Sequence, residues 1–222
     1  SLSVFILKIR KGILIQPYKT VQTAASAEFV ERKSRFIGYI APVKTEEEAL
    51  AVIAQTAKAH RDAAHHVFAY VLREGDISRC SDNGEPQGTA GVPTLDVLIK
   101  EGLTDVCVVT TRYFGGTLLG TGGLVRAYSH AAKLAVEAAR ILYMEPCVLL
   151  RVKLDYSLYG KLTYMLPEYG AVVKEADFAE NVTLFIQMKQ ERQDAFAKAL
   201  TELSGGRAFA ESAGLFFADM DA

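Results

Sequence analysis

VVTTRYFGGTLLGTGGLVRAYS (108–129) passes from an apolar run, through a glycine-dense loop, into a stretch with helical spacing. The run starts upstream in TDVCVVTTRYF (104–114), so apolar at its centre that a strand there requires cover on both faces. Past the glycines a helix is predicted from about Gly123 to Leu142, laying Leu124, Ala127, Tyr128, Ala131, Leu134 and Ala135 on a sheet. Glycines allow close backbone approach, and the free N–H groups at a helix start favour an anion. Gly115, Gly116, Gly120, Thr121, Gly122 and Gly123 are therefore anion-binding candidates, with Arg112 and Arg126 as added charge. The competing reading is a tight strand-to-helix connection whose glycines serve packing alone. Neither common nucleotide signature fits. No Gly-Lys-Ser/Thr follows the glycines, and Val125 stands where a dinucleotide-binding loop needs glycine or alanine.

A second loop, SDNGEPQGTAGVP (81–93), lies about twenty-five residues upstream. Its pocket-forming candidates are Asp82, Asn83, Glu85, Gly88, Thr89 and Gly91, joined by His65 and His66. Asp82 and Glu85 could form an acid–base pair, since close carboxylates split their pKa values. Asn-Gly is equally a strong turn former. The acids resemble only the start of a calcium loop, and its terminal glutamate is lacking. His65 and His66 are adjacent on a strand, face opposite sides and do not chelate one ion. No metal and no cofactor is expected, and no hydrolase signature such as GxSxG or HExxH occurs.

Around these loops, AEFVER (27–32) and RFIGYIAPV (35–43) read as a hairpin, and TEEEALAVIAQTAKAH (45–60) as an amphipathic helix opened by a Thr45–Glu48 capping box. HVFAYVLR (66–73) reads as a strand and PTLDVLIKEG (93–102) as a helix closed by Gly102. Beyond Glu145-Pro146 the order is β-α-β-β-α-β, the split pattern of a ferredoxin-like sandwich. Four tyrosines, Tyr156, Tyr159, Tyr164 and Tyr169, surround the first of its helices and are read as packing groups. The organisation expected is an extension at 1–17, an N-terminal domain at 18–144 and a C-terminal domain at 145–222.

The chain has 222 residues, half of them hydrophobic, and a formal net charge of -1, so bulk charge announces no nucleic-acid or membrane partner. Up to Met144 there are 17 Lys and Arg against 14 Asp and Glu; the remainder has 8 against 12. Cys80, Cys107 and Cys147 show no paired spacing, which fits a reducing cytoplasm better than a disulfide framework. Cys107 reads as a small buried hydrophobe, and Cys80 borders the first loop. The N-terminal apolar stretch is broken by Lys8, Arg10 and Lys11, and no segment is long enough to span a membrane.

The two loops together, with ERKSRFIGYIAPV (31–43) and the His65-His66 strand, resemble the IMPACT/YigZ family from about Tyr18 to the C-terminus. One departure stands out: the family pattern reads Asp-Asp-Gly-Glu-Pro, and this chain has Asn83 at the second place. The resemblance implies an α+β protein of two domains. The first would be a two-layer α/β fold like the second domain of ribosomal protein S five; the second would be ferredoxin-like, as in domain five of elongation factor G. It implies partners in translation, namely RNA, the ribosome or translation factors. Eukaryotic relatives regulate translation through a further N-terminal partner-binding domain, so their mechanism is not expected to transfer. The expectation is a binding protein with an anion-binding cleft between the loops. The alternatives are a phosphoryl-transfer or hydrolytic enzyme using that cleft and a protein-interaction adaptor. Oligomeric state is left open.

Overall fold

The computed structural model describes residues 16–220. Two compact units form, Tyr18–Leu142 and the region from Tyr143 onward. In chain order the first contains β1 (Tyr18–Val21), β2 (Ala25–Glu31), β3 (Ser34–Pro42), α1 (Glu46–Ala59), β4 (His65–Leu72), β5 (Ile77–Ser81), α2 (Gly91–Glu101), β6 (Val106–Tyr113) and α3 (Thr121–Ala138).

Its main sheet runs β2-β3-β6-β4-β5, antiparallel throughout. β6 is central, and every one of its residues except Tyr113 is buried. Alternation along it explains why. Val106 and Val108 pack with Leu98 of α2 and Ala132 and Ala135 of α3, whereas Cys107 and Val109 pack with Ala49 of α1. The helices therefore cover both faces, so this unit has three layers and not the two expected. A strand apolar on both sides needs that second cover.

α1 is capped as its sequence requires: the Glu48 N–H donates to Thr45 Oγ1 at 3.2 Å. The returning Glu48 carboxylate accepts from Lys44 N at 2.6 Å, one residue before the cap position. β1 and β5 are strands that the sequence pattern missed. β5 is a five-residue edge strand, ISRCS, fixed by pairing with β4. α3 stops at Ala138, four residues short of the prediction. The Gln22 N–H donates to the Arg140 carbonyl at 2.9 Å, and the chain is already β7 (Ile141–Leu154) from Ile141 onward. Tertiary pairing overrides the helical preference of a short tail.

β7 runs unbroken through Glu145 and Pro146. Then follow α4 (Tyr156–Met165), β8 (Val172–Phe178), β9 (Val182–Lys189), α5 (Gln193–Ser204) and β10 (Ala210–Asp219). The strands align β10-β7-β9-β8, all antiparallel, so each β-α-β crossover encloses one strand from the other. Val148, Leu150, Val152, Leu184, Ile186 and Met188 form one face of this sheet and meet Leu162 of α4 and Phe196 of α5. Tyr159 and Tyr169 lie on that core, with rings against Phe178 and Phe196, while Tyr164 is exposed. Among the described residues no helix is long and apolar enough to cross a membrane.

Candidate functional site

Near the end of β6, on the face that α2 and α3 cover, lies Arg112, which is 4% exposed. Its Nη1 donates to Glu85 Oε1 at 2.6 Å, and its Nη2 donates to Ser34 Oγ at 3.3 Å. The guanidinium lies 5.4 Å from the Phe36 ring centroid and 5.5 Å from that of Phe114, within cation–π range of both. Tyr128, on the buried face of α3, donates its hydroxyl to the same Glu85 oxygen at 2.6 Å. Burial, then the Glu85 carboxylate, pushes the Tyr128 phenol far above its ordinary pKa, so it remains the donor. The two glycine loops thus share one buried node: Glu85 comes from the first, and Arg112 and Tyr128 flank the second.

Ser34 Oγ also accepts from the Gly115 N–H at 3.2 Å, which draws the second loop onto the β2–β3 turn. A Cβ on Gly115 would sit 2.0 Å from the Lys33 carbonyl carbon, so only glycine fits this approach. Gly120 then takes φ +72° as the N-cap of α3, with no side chain capping the helix and no acid in its first turn. The first-turn N–H groups of Thr121, Gly122 and Gly123 have no intrahelical acceptor.

A cavity of about 470 Å³ opens where these parts meet. Its polar lining comes from His65, Glu85, Arg112 and Thr121, with Gly120 at the helix start. Phe114, Leu118, Leu119, Leu124 and Pro86 supply its apolar walls. Phe114 is 51% exposed and Leu118 80%, so the rim presents an aromatic face to solvent.

The other predicted residues act elsewhere. Asp82 does not pair with Glu85. Its Oδ2 accepts from Gly88 N at 2.8 Å, and its Oδ1 from Ala90 N at 3.0 Å and Gly91 N at 2.8 Å. Partial burial pushes the Asp82 carboxyl up, but these three N–H groups outweigh it and hold the pKa below its ordinary value. Asp82 thereby caps α2, whose N-cap Ala90 has no capping side chain. Gly91 is fixed by space, because a Cβ there would lie 2.7 Å from the Ser81 carbonyl carbon. Thr89 donates to the Pro86 carbonyl at 2.6 Å, closing the loop on itself.

Asn83 accepts the His66 N–H on its side-chain Oδ1 at 2.7 Å, and its backbone carbonyl meets His65 Nδ1 at 2.9 Å. The amide oxygen of Asn83 serves the first contact as a carboxylate oxygen would. His66 points to the α1 side, where its Nδ1 lies 3.3 Å from Thr111 Oγ1. Burial, then the nearby His60 and His65, holds its pKa below the usual value. Gly116, Gly122, Gly123 and Arg126 do not line the large cavity. Gly123 and Arg126 border a separate hollow of about 240 Å³ with Arg32 and His130.

Cys80 is no activated thiol, since burial and the Asp82 and Asp96 carboxylates raise its pKa. Buried Cys107 is pushed up to about 12 by desolvation. Among the described residues no group of three His, Cys, Asp or Glu side chains gathers to hold a metal.

Sequence reasoning missed Ser34, Phe36 and Tyr128 as parts of the site. Tyr128 was placed correctly on the buried helix face, but periodicity does not reveal that its hydroxyl reaches Glu85.

The Impact N-terminal domain model matches residues 32–136, and a domain of unknown function, DUF1949, matches 152–207. The IMPACT family member YvyE of Bacillus subtilis is 39% identical over 195 residues, covering 87% of this chain and 90% of its own. The chain belongs to the IMPACT family. A further IMPACT family member, YigZ of Escherichia coli, is 32% identical, covering 82% of this chain and 92% of its own. The mouse protein IMPACT is more distant at 26% identity and covers 59% of this chain and 42% of its own. A crystal structure described as a hypothetical protein matches with a TM-score of 0.58 and 28% identity, over 89% of this chain and 97% of that one. The Impact N-terminal match contains the whole of the cavity's lining, from Ala64 to Leu124.

Proposed function

We propose that this IMPACT-family protein is a binding protein of translation or RNA metabolism that takes a phosphate-bearing strand, RNA, at the start of α3. The carrying observation is the uncapped, acid-free N-terminus of α3 opening into the cavity that Glu85 and Arg112 floor. Three unpaired N–H groups and the helix dipole favour an anion there. Phe114 and the leucines beside it offer a base a face to stack on. Arg112 holds the floor together, because its charge is already met by Glu85. The family's fold resemblances, to the second domain of ribosomal protein S five and domain five of elongation factor G, point to the same partners but carry less weight than the site. Phosphoryl transfer is the weaker reading, since no lysine among the described residues lines the cavity.

The test is Thr121→Asp. Thr121 is exposed in the first turn, where an added carboxylate stabilises the helix and repels a phosphate. Fluorescence anisotropy with a labelled oligoribonucleotide should show salt-sensitive binding by the wild type and at least about tenfold loss in the variant, with thermal stability kept or raised. Unchanged affinity in the variant would overturn the reading.

A further inference from the structure

His65 Nε2 and Glu85 Oε2, on two residues that line the cavity, have no hydrogen-bond partner among the described residues. The Asn83 carbonyl can only accept, so His65 Nδ1, 2.9 Å away, carries a proton, and in the neutral form of the ring Nε2 is the acceptor. That Nε2 is 3.8 Å from Glu85 Oε1, beyond hydrogen-bond range. Glu85 is 8% exposed and takes both of its hydrogen bonds, from Arg112 and Tyr128, on Oε1. Its Oε2 accepts none among the described residues and is not sealed off, since the fully enclosed unpartnered side-chain atoms are Thr110 Oγ1 and Arg112 Nε. Both residues line the cavity that α3 enters. A ligand that displaces solvent from this pair must itself donate a hydrogen bond or leave an acceptor unpaired, which is unfavourable.

Charge narrows the choice of donor. Arg112 already balances Glu85, and the adjoining helix start favours anions, so a cationic donor is poorly suited. A neutral hydroxyl beside a phosphate can donate to one of the two acceptors without adding charge. We infer that His65 and Glu85 form a hydroxyl-recognising pair that selects ribonucleotide over deoxyribonucleotide in the cleft, reading the ribose 2′-OH next to the bound phosphate. A cavity of about 470 Å³ is large enough for one nucleotide unit. The 2′-OH is the group by which a protein separates RNA from DNA at a given position. This inference rests on the phosphate site proposed above.

The experiment compares labelled oligouridylate, its 2′-deoxy counterpart and its 2′-O-methyl counterpart by anisotropy at one low salt concentration. The wild-type protein should bind the ribo form at least about tenfold more tightly than both others, because neither of these can donate from the 2′ position. His65→Phe should bring the three affinities together near the deoxy value, with circular dichroism confirming the fold. Asn83→Asp, which leaves the backbone carbonyl in place, should preserve the preference. Equal wild-type binding of ribo and deoxy strands would overturn the selection and leave the phosphate site standing. Binding of 2′-O-methyl strands as tightly as ribo would also overturn it. No binding of any strand would overturn both.

Discussion

Arg112 and Glu85 form an ion pair at 2.6 Å with side chains only 5% and 4% exposed, and Tyr128 donates to the same carboxylate oxygen. A buried pair of this kind is weak evidence for stability as a whole, but removal of one partner strands the other. Arg112→Met should lower unfolding free energy by about 3–5 kcal/mol in urea denaturation. Arg112→Met with Glu85→Leu should lose less than Arg112→Met alone, because no charge is left unpaired; an equal or larger loss would count against this account.

Asp82 substitutes for a missing cap on α2 by accepting three backbone N–H groups. Asp82→Ala should destabilise by about 1–2 kcal/mol. The pH dependence has a definite sign. The folded pKa lies below 3.8, so this stabilisation is present above about pH 4 and is lost as pH falls through the folded value. Asp82→Asn should therefore flatten the acid limb of a stability–pH curve, and a limb as steep as the wild type's would refute this role.

His66 behaves in the opposite direction. Burial and the neighbouring His60 and His65 lower its folded pKa from 6.5, so the unfolded chain binds the proton first. Its penalty grows as pH falls from about 6.5 to the lowered value and is constant below that. Thermal unfolding between pH 7 and 5.5 should show a shallower decline for His66→Gln than for the wild type. NMR titration of the imidazole gives the direct check, and a pKa at or above 6.5 would remove the basis of the prediction.

Gly115→Ala places a methyl 2.0 Å from the Lys33 carbonyl carbon, backbone against backbone. Neither segment can yield by a rotamer change. The second loop must move away from Ser34, costing about 1–3 kcal/mol and weakening ligand binding more than Gly116→Ala, whose Cβ meets nothing within 4 Å and which carries only the strain of its φ of +79°. Equal effects at the two glycines would show that the contact with Lys33 does not matter.

The fold was legible wherever period and punctuation were strong. Thr45 opened a helix, Gly102 closed one, and the β-α-β-β-α-β order of the second unit followed from alternating patterns. β5 escaped because its five residues, with Ser78, Arg79 and Ser81 polar, show no usable period. The count of two layers came from the family resemblance, whereas the apolar centre of β6 asked for cover on both faces, which α1 on one side and α2 and α3 on the other supply. At the site, the loops were visible from composition, and the opposite facing of His65 and His66 from strand alternation. The division of labour was not. Asp82, Asn83 and Glu85 are three polar residues within one turn, yet two bind backbone and one reaches Arg112. Only the tertiary path of the chain separates them.

Ser34 has a consequence for motion. Its hydroxyl joins the Gly115 amide to Arg112, which joins Glu85, which joins Tyr128. Neither glycine loop can lift away without breaking bonds that hold the other. The loops should accordingly open as a single cooperative unit, with the Gly115 amide exchanging its hydrogen no faster than the buried node comes apart. Flexible in composition, this edge of the sheet is latched as one piece.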